Sequence, residues 1–200
     1  MKIVEEIRNV IKTEALALYM LLDQIGPEYE EAIKLIQQCQ GKVVVTGVGK
    51  SGHVGKKIAA SLSSTGTPSF FVHATEGVHG DLGMIEHNDV VILISNSGET
   101  GEVLSLLPSL EMIGCKKIAL TSKGNSSLSK SSDVSIIYNY EKEADHLGLA
   151  PTTSAAITLA IGDALAIILS KLQDFKNTDF HLYHPGGSLG QHLSKSNNKQ

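Results

Sequence analysis

Residues 95–100, Ser-Asn-Ser-Gly-Glu-Thr, put three hydroxyls, a carboxamide and a glycine into six positions just ahead of a helix expected to begin near Glu102. Backbone N–H groups and the positive end of a helix dipole hold a phosphate monoester without any arginine. A phosphorylated small molecule is the expected ligand, with Ser95, Asn96, Ser97 and Thr100 as its contacts. The plainer alternative is that these residues only cap the helix, yet four polar residues with a glycine exceed what a cap needs. A second loop, Gly47-Val48-Gly49-Lys50-Ser51-Gly52, fits GxGxxG between a strand and a helix and adds Gly49 and Ser51 as substrate-binding candidates. A nicotinamide site would also want an acid ending the next strand, where Phe70-Phe71-Val72 runs into His73 instead. A P-loop fails more plainly, since it needs glycine at position 44, which is Val44.

Both loops need strands that deliver them to one edge. Short apolar runs rich in β-branched residues recur at 43–46, 69–72, 90–95, 117–121 and 134–138, separated by helical stretches. Runs buried on both faces and alternating with helices imply a parallel sheet. Right-handed crossovers then give a three-layer α/β/α doubly wound sandwich with a five-stranded parallel sheet, whose ligands sit at the carboxyl ends of the strands. Ahead of it, residues 1–41 form a helical leader. Ile3, Ile7, Val10, Ile11, Leu18, Leu21, Leu22 and Ile25 recur at helical steps, and a second helix runs from Pro27 toward Gly41 with Tyr29, Ile33, Ile36 and Cys39 on one side. The leader's apolar face is expected to dock on another subunit. A long helix from about 151 to 172 and a Gly186-Gly187 turn before a last short helix complete a single domain over 1–194, with a core at 42–194. The polar tail 195–200 is expected to be disordered.

Composition narrows the partners. Forty-two per cent hydrophobic residues, 19% charged and a net charge of −4 describe one soluble domain with its own core. The acidic balance argues against nucleic acid bound through phosphate neutralisation. Gly162 and Asp163 interrupt the longest apolar stretch, which argues against a membrane span, and the charged start, with Glu5, Glu6 and Arg8, does not read as a signal peptide. Cys39 and Cys115 lack metal-type spacing and suit free, buried thiols in a reducing cytoplasm.

Six segments point together: GVGKSGHVGKK at 47–57, STGTPSFFVH at 64–73, VHGDLGM at 78–84, SNSGET at 95–100, LGLAPTTS at 147–154 and HPGGSLG at 184–190. On these, residues 5–194 resemble the sugar isomerase (SIS) domain of bacterial arabinose-5-phosphate isomerases. The resemblance implies interconversion of D-ribulose 5-phosphate and D-arabinose 5-phosphate, which feeds 3-deoxy-D-manno-octulosonate synthesis for lipopolysaccharide or capsule. It also implies a cytoplasmic homotetramer with active sites between subunits, and neither metal nor other cofactor. Many relatives continue into paired CBS domains, whereas this chain stops at Gln200, so regulation through those domains is not expected. An isomerase of hexulose or heptose phosphates is the nearest alternative, disfavoured by HPGGSLG. A non-catalytic sugar-phosphate regulator would need a DNA-binding module, for which the non-basic 42 residues before the first strand leave no room.

The polar positions carried over from that resemblance are Lys50, His79, Glu102, Glu143 and His184. Isomerisation needs a base, an acid and a positive group. His79 is assigned to proton transfer between C1 and C2, and His184 to opening the ring or hydrate. Each has a plainer alternative: a solvated loop lysine, ordinary loop histidines, a helix-start carboxylate at Glu102 and a solvated charge at Glu143. No metal is expected from His73 and His79.

Overall fold

The five apolar runs become five parallel strands in the order β2-β1-β3-β4-β5 in the computed structural model, which describes residues 2–185. They are β1 (Val43–Gly47), β2 (Ser69–His73), β3 (Val90–Ile94), β4 (Lys116–Thr121) and β5 (Val134–Ile137). Every residue of β1 and β3 is buried, as central strands covered on both faces must be. The chain reverses its direction of winding between β1 and β3. Register sets the three strands flush there, with Val43 opposite both Ser69 and Val90, and Gly47 opposite His73. The loops after β1 and β3 thus leave the same edge side by side.

Alternation along each strand splits the core into two layers. Val43 and Val45 face the helices α2 (Pro27–Gln37), α3 (Gly49–Ser64) and α8 (Thr153–Leu172), together with Ile92, Ile118 and Ile136. Val44, Val91, Leu93 and Ala119 face the other way, toward the short helices α4 (Ala74–Gly77), α5 (Gly101–Leu104), α6 (Leu107–Ile113) and α7 (Ser127–Lys130). A last helix, α9 (Asn177–Tyr183), follows α8 and was not marked by any pattern in the sequence. The short helix expected after Gly186-Gly187 and the tail at 195–200 lie outside the described residues.

Two expectations change. The helix expected from about 151 to 172 forms as α8, but Gly162 and Asp163 do not deprive it of the composition of a membrane span: a Cβ at Gly162 would meet Ile58 of α3, and Asp163 pairs with Lys57. The glycine therefore lets two helices close, and the acid sits on their solvent rim. As a continuous 20-residue helix of mean hydropathy 1.8, α8 has the length and composition of a membrane span, but Ile157, Ile161, Leu165 and Leu169 are spent on the core. The second change concerns cysteine. Both thiols are free, yet only Cys115 is buried and Cys39 is partly exposed.

The leader helix α1 (Ile3–Leu21) lies against α8 and buries only Ala17 and Leu21. Ile3, Ile7 and Ile11 remain 63%, 54% and 62% exposed. Among the described residues, nothing covers this apolar stripe.

Candidate active site

The loop after β3 is held rigid by its own side chains. Ser95, itself buried, shares a 2.7 Å hydrogen bond with Thr100 and accepts from the Gly98 amide at 3.0 Å, while Ser97 Oγ accepts from the Glu99 amide. Gly98 has φ +67°, and a Cβ there would meet Ser126 Oγ at 2.1 Å, so glycine is required both by the backbone and by the close approach of the neighbouring loop. Glu99 reaches over to accept from the Ser127 amide at 2.7 Å, and that hydrogen bond holds its carboxyl below the ordinary range. The capping reading fails at Thr100, which stands at the N-cap of α5 without any side-chain cap bond. The helix expected near Glu102 is also shorter than the dipole argument assumed. α5 is a single turn and α6 restarts at Leu107. What the loop offers an anion is the N–H groups of Ser97, Thr100, Gly101 and Glu102, which have no acceptor among the described residues.

The GxGxxG glycines serve the turn from β1 into α3. Gly49 has φ +55°, and the backbones of Gly47 and Gly52 approach so closely that a Cβ at Gly52 would stand 3.1 Å from Gly47 O. Lys50 and Ser51 then fall in the first turn of α3, Lys50 exposed and without a partner among the described residues. Ser51 and Asn96 share a pocket of about 10 Å³ with Tyr138, Pro151, Ser154 and Thr158, room for about one water. The two loops therefore meet at the point where the strand order reverses, which is where open α/β sheets bind ligands.

Asn96 faces inward rather than toward a phosphate. Tyr138 OH donates to its Oδ1 at 3.0 Å, and its Nδ2 donates to Tyr140 OH at 2.9 Å. Tyr140 in turn donates to Glu143 Oε1 at 3.0 Å. The other oxygen, Oε2, accepts from the amides of Thr152 (2.9 Å) and Ser154 (3.1 Å) and from Thr152 Oγ1 (3.2 Å). Glu143 is thus no solvated charge; it caps the start of α8 from nine residues upstream. Its partial burial pushes the carboxyl up, but hydrogen bonding from Ser154, Thr152 and Tyr140 outweighs this and holds it below the usual range. The tyrosines and Thr152 were missed by sequence reasoning. The signals were two of the chain's five tyrosines at 138 and 140, straight after a strand, and the LGLAPTTS segment that contains Thr152.

The other wall of Glu143 is an open cleft of about 1190 Å³ between α1 and residues 141–152, to which Lys12, Thr13, Met20, Asp145 and Thr152 also contribute. His79 and Glu102 stand on the opposite flank, both exposed. His79 follows α4 and Glu102 lies in α5, and these two short helices pack on one another. His73 caps α4, its Nδ1 accepting from the Thr75 amide. Among the described residues, no group of three His, Cys, Asp or Glu side chains could hold a metal ion.

His184 is not brought to this edge by its own chain. α8 starts beside Tyr138, where Thr158 Oγ1 lies 3.3 Å from the tyrosine hydroxyl, and its 20 residues run away from the loops for about 30 Å. Beyond it, Phe175 packs on Gly66, just ahead of β2, and stacks on Tyr183. His184 follows, stacked on Phe180 at 3.9 Å with Nδ1 2.9 Å from the Phe180 carbonyl. It occupies the amino-terminal edge of the sheet, so it cannot serve the loops of the same chain in this arrangement.

A doubly wound parallel sheet with an amide-lined loop at its switch point defines an open α/β ligand-binding domain. Residues 35–168 match the SIS domain family, and the chain belongs to that family. It is 48% identical over 192 residues to the arabinose 5-phosphate isomerase KpsF of Escherichia coli O6:H1, covering 96% of this chain and 59% of the relative. It is likewise 48% identical over 186 residues to the arabinose 5-phosphate isomerase KdsD of Pseudomonas aeruginosa, covering 93% of this chain and 57% of the relative. The chain therefore spans somewhat over half the length of these curated relatives. A solved structure from Escherichia coli CFT073, in complex with arabinose 5-phosphate, superposes with a TM-score of 0.90 at 51% identity, covering 92% of this chain and 97% of that one.

Proposed function

We propose that the chain is an aldose–ketose isomerase interconverting D-ribulose 5-phosphate and D-arabinose 5-phosphate. The observation that carries this is the rigid loop 95–102, whose unpaired amides and exposed Ser97 can hold a phosphate at the switch point, in a fold matched by a relative solved with arabinose 5-phosphate. With the phosphate anchored, the sugar extends across the edge toward the exposed side chains of Lys50, His79 and Glu102. A base removes a proton from C1 of the open-chain ketose while the C2 carbonyl oxygen is protonated, giving the 1,2-enediol. Loss of the proton on O1 and return of one to C2 gives the aldose. His79 is the base, and the Lys50 ammonium stabilises the charge that develops on oxygen.

His184 enters from a second copy of the chain and opens the ring or hydrate, in a homotetramer with shared sites. The exposed stripe on α1 and the distance of His184 from its own loops support sharing between copies. Supply of 3-deoxy-D-manno-octulosonate synthesis in the cytoplasm follows from the product. A coupled assay with ribulose 5-phosphate beside hexulose and heptose phosphates tests the proposal. Turnover of the pentulose phosphate at least ~10²-fold above the others is expected, a ratio within reach of pocket contacts. Preference for a hexulose phosphate would reassign the substrate.

A further inference from the structure

Between the phosphate loop and the cleft, four side chains form a chain with a single consistent direction of donation: Tyr138 to Asn96, Asn96 to Tyr140, Tyr140 to Glu143. Burial pushes the Tyr138 hydroxyl up to about 12 and that of Tyr140 above its ordinary value, so both phenols keep their protons wherever an isomerase works. Asn96 is fixed in one orientation by its two partners, because only its Oδ1 can accept and only its Nδ2 can donate. Asn96 also belongs to the loop itself: its carbonyl accepts from the Ser122 amide and hydroxyl at 3.0 and 2.8 Å. Glu143 belongs to the far wall. Tyr140 is the side chain that bridges the two.

We infer that Tyr140 is a positioning residue of this site: its hydroxyl, seated between Asn96 and Glu143, ties the carboxylate to the phosphate loop and fixes its orientation there. The inference rests on the phosphosugar reading of the site and adds a residue to it. Glu143 Oε2 is occupied by three donors of the α8 start, which leaves Oε1, with Tyr140 as its one protein donor among the described residues, as the oxygen able to meet a substrate hydroxyl or a partner's side chain. Without the phenol, Oε1 would lose the donor that Tyr140 supplies. Titratable groups around that cleft are Glu6 and Lys12 of α1 and Glu141, Lys142, Asp145 and His146 of the same loop, none of them bonded to Glu143. The α8 donors hold Oε2, and the phenol is the contact that ties Oε1 to the phosphate loop.

The full chain carrying Tyr140→Phe tests this. The ring still stacks on Tyr138, at 6.3 Å between centroids, so the melting temperature serves as a check that the fold is kept. Loss of one donor raises the carboxyl's pKa. With the carboxyl less firmly held, kcat is expected to fall about tenfold, with KM within about threefold of the parent. A carbon-13 NMR titration of the Glu143 carboxyl should move up and needs no turnover. An unchanged kcat together with an unchanged titration would overturn the positioning role and leave Tyr140 a packing residue. A parent protein that turns over no phosphosugar would defeat the functional reading instead, and the titration would then decide on Tyr140 alone.

Discussion

At the residue scale, the polar side chains of the 95–100 loop divide into those that build it and those that remain for a ligand. Ser95 and Glu99 are committed to the loop and to α7, and Asn96 to the tyrosines, whereas Ser97 is exposed and Thr100 is half-buried, its hydroxyl shared with Ser95. Ser97→Ala combined with Thr100→Ala should raise KM for the sugar phosphate by on the order of tenfold or more, up to ~10²-fold, since each hydrogen bond to a charged group contributes ~1.5 kcal/mol. Steady-state kinetics check it, and an unchanged KM would place the phosphate elsewhere. The histidines make a second, separable prediction. His79→Gln should abolish exchange of the C1 or C2 proton with solvent, at a loss of ~10²- to 10⁴-fold. His184→Gln should still exchange that proton from the open-chain ketose while losing turnover that starts from the ring-closed aldose. Deuterium incorporation followed by NMR distinguishes the two, and the opposite pattern would reverse the roles.

At the scale of elements, the contact of α3 with α8 carries the layer beneath the site. It places Ser51 at the start of one helix and Ser154 at the start of the other beside the same small pocket. Gly162 is the point of closest approach, with Ile58 almost wholly buried against it. Gly162→Ala gains up to ~1 kcal/mol of helix propensity but forces a methyl into Ile58, and overpacking of that kind costs ~1–3 kcal/mol. Ile58→Ala alone should cost ~2–5 kcal/mol through the cavity it leaves. In the double variant the new methyl occupies part of that cavity, so urea unfolding should give a loss smaller than the sum of the two. Strict additivity would mean that the helices separate at Gly162 rather than compress Ile58.

For the whole molecule, the apolar stripe of α1 and the remote His184 have one explanation in a second copy of the chain. Ile7→Asp with Ile11→Asp puts two charges on the stripe without touching the chain's own core, since both side chains are more than half exposed. Light scattering should then report a smaller species, and activity should fall with it. Shared sites also predict complementation. Co-expressing the Ser97→Ala, Thr100→Ala variant with His184→Gln should give mixed assemblies more active than either variant alone, because a site with an intact loop can receive an intact histidine from its neighbour. Absence of any recovery in assemblies shown by mass spectrometry to be mixed would rule out sharing.

Much of this molecule was legible before folding because its signals are local. Each strand falls within one residue of its apolar run, since a β-branched run buried on both faces has no other use. The two ligand loops were recognisable because glycine and hydroxyl residues after a strand answer to backbone geometry over a few residues, as Gly49 and Gly98 confirm. By contrast, Gly162 read as a break in an apolar stretch until Ile58 appeared opposite it, 104 positions away in the chain. Glu143 could be singled out as a site residue, but its plainer alternative, a solvated charge, stood until the α8 start closed over it, and the partners of the Asn96 amide, two tyrosines from beyond β5, were not legible. His184 could be singled out by its motif, but only the direction of α8 shows that it lies at the far edge of its own sheet. Periodicity and turn chemistry act between neighbours in sequence, so one chain's residues suffice to read them. A hydrogen-bond partner or a packing contact is decided by which segments the crossovers bring together, and no single residue carries that information.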